Sequence, residues 1–170
     1  MTARALAAGA GFLGCILGAN YVTSAYGMVP VGFGLTATAG TYFAGLSFVL
    51  RDAVQDTAGK RWALAVTLAG AVLSLAIAAP AIALASAAAF AVSELTDLAV
   101  YTPLRRRGYI RAAVASNAVG ALVDSVVFLT VAGFPLLALP GQLVGKLVVT
   151  GAVVALVVAV RTSRRRAVPA

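Results

Sequence analysis

The stretch AAVASNAVGALVDSVVFLTVA, residues 112–132, carries one ionisable side chain, Asp124, in 21 residues, and Arg111 stands directly before it. At about 1.5 Å per residue, a helix of that length spans about 30 Å, the thickness of a bilayer's hydrocarbon. Its apolar residues do not alternate with polar ones at period two, as a membrane barrel strand requires. The stretch reads as a membrane-crossing helix.

Five more apolar stretches of this kind surround it: Ala5 to Val22, Leu35 to Leu50, Trp62 to Ala79, Ile82 to Tyr101 and Leu136 to Val160. The chain is 62% hydrophobic and 11% charged, where a soluble domain has roughly 45–50% and about 25%. No composition shift, linker or internal repeat divides it. The sequence therefore predicts an all-α, polytopic integral membrane protein of six transmembrane helices, with residues 1–170 forming a single membrane domain.

A net charge of +8 would point to nucleic acid in a soluble protein, but twelve of the 13 Lys and Arg residues lie at or beyond the ends of apolar stretches. There they set orientation by the positive-inside rule, and no nucleic-acid partner is expected. Arg4 precedes the first stretch; Arg51, Lys60 and Arg61 flank the connection after the second. Arg105, Arg106, Arg107 and Arg111 fill the connection after the fourth, and Arg161, Arg164, Arg165 and Arg166 follow the last. The connections between these, at Tyr21 to Phe33, around Pro80 and at Gly133 to Gly141, carry no charge. This alternation places both termini in the cytoplasm of a multi-pass protein of a bacterial inner membrane. Phe12-Leu13-Gly14-Cys15 has a faint likeness to a lipoprotein cleavage site. Phe12 and Leu13 fit such a site poorly, and the first stretch is read as a span.

The chain has no His and one Cys, so disulfides, His-based or Cys-rich metal sites and a Ser-His-Asp triad have no material. No Walker A motif occurs. Neither catalysis nor a bound cofactor is expected.

Ionisable groups at membrane depth cost about 2.5–3.5 kcal/mol on insertion scales and mark functional sites by default. Four qualify. Glu94 and Asp97 lie three residues apart on one face of the fourth span, Asp124 lies midway along the fifth and Lys146 lies within the sixth. Asp124 and Lys146 fall at matching depths and are candidates for an ion pair. Glu94 has no intramembrane base left to it, and is expected either to carry its proton or to face a wet cavity holding a donor-rich ligand. Ser116, Asn117 and Gln142 add uncharged hydrogen-bonding groups. Gly14 with Gly18, and Gly141 with Gly145, make small-xxx-small pairs that let helices approach closely, within the chain or in a homo-oligomer.

Taken in order, several of these elements resemble the VUT family of queuosine precursor transporters, the YhhQ-like proteins. The elements are Ala19-Asn20 at the end of the first span, Asp52, Asp56 and Gly59 after the second, Glu94 and Asp97 in the fourth, then Leu104-Arg105 and Arg111. The run Ser116 to Phe128, with Asn117 and Asp124, and the final-span Lys146 complete the pattern. The resemblance implies a six-helix carrier that imports a 7-deazaguanine base, such as 7-cyano-7-deazaguanine. It implies that Asn20, Asp52, Glu94, Asp97, Ser116, Asn117, Asp124 and Lys146 lie on the substrate path. A guanine-like base offers a ring N–H beside an amine, a donor pair that Glu94 or Asp124 could accept through two oxygens. Tyr42, Phe43, Phe90 or Phe128 could stack on its ring.

Two other readings fit the same spans: the substrate-binding subunit of an energy-coupling transporter with a separate ATPase, and a purely structural membrane protein whose charges only pair with one another.

Overall fold

The computed structural model describes residues 2–104, 106 and 109–166; within that range the side chains of 97, 98, 101, 102, 109–114, 116, 117, 154, 157, 158 and 160–166 are left aside. The chain order is α1 (Ala3–Tyr26), β1 (Met28–Gly32), β2 (Leu35–Thr38), α2 (Thr41–Ala58), α3 (Lys60–Ile77), α4 (Pro80–Leu104), α5 (Tyr109–Val131) and α6 (Leu139–Arg166). A 3-10 turn, Leu136–Ala138, leads into α6.

Local chemistry sets the boundaries. The Thr2 side chain accepts from Ala5 N at 3.2 Å and caps α1, which ends where Gly27 takes φ 60°. Gly59 at φ 88° both stops α2 and precedes α3, a conformation that L side chains resist. Pro80 opens α4 at the position where its missing N–H is harmless. Connections this short make successive helices antiparallel.

The second span departs from the sequence expectation of Leu35 to Leu50. Residues 35–38 instead form β2, paired antiparallel with β1 in the register Val29 to Ala37 and Gly32 to Leu35. The turn between them places Phe33 at φ 53° and Gly34 at φ 72°, the pair of positive φ angles that a tight hairpin requires. The pairing satisfies the backbone groups that face between the two strands, a need that grows near lipid where no water can serve them. The helix then starts at Thr41 and continues through Arg51, Asp52 and Asp56, which the sequence reading placed at the end of the span and in a charged connection.

Polarity is inverted relative to a soluble protein. Leu64, Leu68 and Leu75 of α3, Leu84 and Leu95 of α4, and Leu147 and Leu156 of α6 are exposed. The interior holds Asn20, Thr41, Ser74, Ser93, Ser125, Gln142, Arg51 and Lys146, all nearly fully buried. Soluble monomers rarely leave so much apolar surface in water; in hydrocarbon it costs nothing, and polar groups turn inward to find partners. By length and hydropathy, Ala3–Tyr26, Lys60–Ile77 and Leu136–Val153 qualify as membrane spans among the described residues, and Pro80–Thr96 and Ala118–Val131 are shorter apolar helices. The protein is a helical membrane protein.

Close packing uses one of the two small-residue pairs. A Cβ on Gly141 would lie 2.1 Å from Thr36 O of β2, and one on Gly145 would lie 2.7 Å from Thr41 Cγ2, so α6 presses directly on the hairpin and α2. Gly18 lies against the Phe43 ring, whereas Gly14 faces open space. A small apolar core of Phe12, Val54 and Ala63 joins α1, α2 and α3.

Candidate functional site

A central cavity lies where α1 to α6 converge. Its volume, measured at water centres, is ≈ 80 Å³, several times the ~10–15 Å³ that one water needs. Four aromatic rings wall it: Phe12 from α1, Phe48 from α2, Phe90 from α4 and Phe128 from α5. Phe128 also stacks on Phe134, with ring centroids 6.3 Å apart. Of the aromatic residues singled out by sequence, Phe90 and Phe128 line the cavity. Tyr42 and Phe43 are each 40% exposed and do not.

The hairpin closes one end. Thr38 and Gln142 are on the wall, Gln142 Nε2 donates to Thr38 Oγ1 at 2.9 Å, and Thr41 Oγ1 donates to Gln142 Oε1 at 2.9 Å. Gly40 N donates to Thr23 Oγ1 at 3.0 Å and ties the start of α2 to α1. Asn20 is 2% exposed and donates through Nδ2 to Ser74 Oγ at 2.8 Å, which joins α1 to α3.

Asp124 and Lys146 meet as their depths predict. Lys146 Nζ donates to Asp124 Oδ2 at 2.5 Å and to Ser125 Oγ at 2.7 Å, and the Lys146 side chain is only 4% exposed. Two acceptors stay unused. Neither Asn20 Oδ1 nor Asp124 Oδ1 receives a hydrogen bond among the described residues. Among the described residues no side-chain polar atom that is itself shut away from solvent lacks a partner, so both oxygens are open, and both residues line the cavity.

Glu94 does not stand alone. The expectation that no base remains for it fails, because the longer α2 carries Arg51 inward: the Arg51 guanidinium pairs with Glu94 and forks onto Asp52 Oδ1 at 2.9 and 3.1 Å. The Arg51 side chain is 9% exposed and that of Glu94 is 20% exposed. Lys60 Nζ lies 4.0 Å from the other Glu94 oxygen. Glu94 therefore stands behind Arg51 and not on the cavity wall. Asp52 lies beside Arg51, and 52% of its side chain is exposed. The side chains of Asp97, Ser116 and Asn117 lie outside the described residues.

Sequence reading missed Arg51, Phe48, Ser125 and the Thr38, Thr41 and Gln142 network as a unit. The signal for Arg51 was present in the punctuation: neither Gly nor Pro occurs from Leu46 to Ala58, so the helix could run past its first charge.

Helices with an apolar exterior around an internal cavity lined by aromatic rings and charged side chains define a helical membrane protein with a polar interior site. A family model described as "Putative vitamin uptake transporter" matches residues 75–163, just over half of the chain, and the chain belongs to that family. The matched segment takes in α4, α5 and most of α6, with Glu94, Asp124 and Lys146; Asn20, Phe48, Arg51 and Asp52 precede it. No curated protein and no solved structure matches the chain.

Proposed function

We propose that this protein is a six-span carrier of the bacterial inner membrane, with both termini in the cytoplasm, that imports a 7-deazaguanine base serving as a queuosine precursor. One observation carries the reading. The cavity combines ring walls with two unengaged acceptor oxygens, those of Asn20 and Asp124. A flat heterocycle stacks on phenyl rings, and donor groups on its edges suit amide and carboxylate oxygens. At ≈ 80 Å³ the cavity is far below the roughly 300–1,000 Å³ of drug-sized sites, which favours a single small ring system.

The structure alters the sequence-based account of recognition. Arg51 holds Glu94 and Lys146 holds one oxygen of Asp124. The cargo is therefore met by the free Asp124 oxygen together with Asn20, and Glu94 acts by keeping Arg51 in place.

Expression in a host that neither makes nor imports 7-deazaguanines tests this. Each base is supplied in turn, and the modified nucleoside is sought in RNA or DNA. Its appearance only with the chain present is expected; its absence for every base defeats the substrate assignment. Purification that brings down a stoichiometric ATPase would replace the autonomous carrier with an energy-coupled subunit. Reporter fusions after Gly59, Arg107 and Arg166 should read cytoplasmic and those after Pro80 and Gly133 external, and any other pattern removes the six-span topology.

A further inference from the structure

A second cavity, ≈ 600 Å³ at water centres, lies between α2, α4, α5 and α6. Three residues line both it and the central cavity: Phe48, Arg51 and Lys146. The Arg51 Cζ and Lys146 Nζ each lie 5.6 Å from the centroid of the Phe48 ring, within the ≈ 6 Å over which a cation is drawn to a phenyl face.

The two cavities are offset along the helices in one consistent direction. On α2 the wall moves from Ser47 to Asp52, on α4 from Ser86 to Ser93, and on α6 from Gln142 to Thr150. On α5 it moves the other way in number, from Asp124 to Ala121. Since α5 runs antiparallel to its neighbours α4 and α6, all four shifts point toward the same end of the molecule. The cavities are stacked, with Phe48 and its two cations between them.

We propose that Phe48 is the gate of the transport path: its ring, steadied by Arg51 and Lys146, closes the central cavity off from the second, and cargo passes between them when the ring turns aside. This rests on the carrier reading. The cations are themselves held from two other helices, Arg51 by Glu94 of α4 and Lys146 by Asp124 and Ser125 of α5. A cargo that donates to the free oxygen of Asp124 draws on the same carboxylate that anchors Lys146. Binding in the central cavity thus weakens one support of the gate, which gives the cargo the differential interaction that a conformational shift requires. A neutral heterocycle with ring N–H or amine donors has this chemistry; a cargo bearing only acceptors does not.

The test reads access to the two cavities and needs no cargo. In a Cys15→Ala background, single thiols are introduced by Ser86→Cys, which lines only the central cavity, and by Ala121→Cys, which lines only the second. A charged, membrane-impermeant thiosulfonate is applied to vesicles from the face to which the second cavity opens, identified as the face that labels position 121. The thiol at position 86 should resist the reagent from that face. Adding Phe48→Ala should raise its labelling rate by about tenfold, the change given by losing ~1.4 kcal/mol of closed-state preference. Phe48→Leu keeps an apolar side chain but removes the ring face, and should give the same direction of change if Phe48→Ala fails to insert. Equal labelling of positions 86 and 121 in the parent would overturn the proposal. So would a rate at position 86 that neither Phe48 variant alters. If the labelling pattern holds while uptake of every base is absent, the substrate assignment falls and the gate remains.

Discussion

Lys146→Met probes the pair on which α5 and α6 depend. The lysine is 4% exposed, its ammonium donates to Asp124 and to Ser125, and it lies 5.6 Å from the centroid of the Phe48 ring. Met fills a similar apolar volume but strands the Asp124 carboxylate. Removing one partner of a buried pair costs about 3–5 kcal/mol. A second route leads to a similar figure: an ordinary carboxyl takes up a proton at pH 7 for about 4 kcal/mol, so protonation sets a ceiling near that value. Ser125 adds little to the loss, since its hydroxyl still donates to Ala121 O at 2.8 Å. The expected result is a loss of about 4 kcal/mol in unfolding titrations of the purified protein in mixed micelles. Most of it should return in Lys146→Met combined with Asp124→Asn, where no charge is stranded. A double-mutant coupling below about 0.5 kcal/mol, the scatter expected of independent sites, would refute the reasoning.

Glu94→Gln leaves Arg51 with a neutral partner in place of a charged one, and should lower stability by about 1–3 kcal/mol in the same titration; unchanged stability would show that Arg51 does not depend on the Glu94 charge. Asn20→Ala removes both the bond to Ser74 and an acceptor on the cavity wall, and should weaken cargo affinity about 5- to 150-fold, by equilibrium binding to purified protein. Full affinity would take Asn20 out of recognition. Gly141→Val puts side-chain atoms where Thr36 O already lies 2.1 Å from an added Cβ, so α6 must separate from the hairpin, at about 1–3 kcal/mol or more. A variant as stable as the parent would contradict that packing.

What the sequence made legible is what the bilayer enforces. Long apolar runs can only be helices there, and the pairing of Asp124 with Lys146 followed from counting residues from each end of two antiparallel spans. The hairpin was not legible in the same way. Its strands, MVPVG and LTAT, are short and mostly apolar, and hydropathy cannot separate them from the start of a helix. Only the glycines beside Phe33 distinguish them. The reach of α2 was missed for a related reason. A charge at the end of an apolar run ordinarily marks the membrane surface, yet Arg51 stays in the interior because Glu94, more than forty residues later, is placed to receive it. Such a pairing depends on how α2 and α4 pack, which neither segment reveals alone. The Gly14 and Gly18 pair shows the converse: the motif permits close approach, but whether a neighbouring helix arrives is decided elsewhere.

The two ion pairs gain their meaning from what joins them. Glu94 on α4 holds Arg51 on α2, Asp124 on α5 holds Lys146 on α6, and the two cations meet over one ring, that of Phe48. Two isolated buried pairs would be poor devices for stability, since apolar residues of equal volume serve as well or better. Joined through Phe48, they make the position of α2 depend on two helices at once, and a change at either carboxylate reaches the same side chain. The family model covers both carboxylates and Lys146 but stops short of Phe48 and Arg51. The family-matched half of the chain thus supplies the anchors, and the other half supplies the ring and one cation held between them. A carrier needs an element that two occupancy states can bias. In this protein the only residues common to both cavities among those described are the ring and the two cations that meet there.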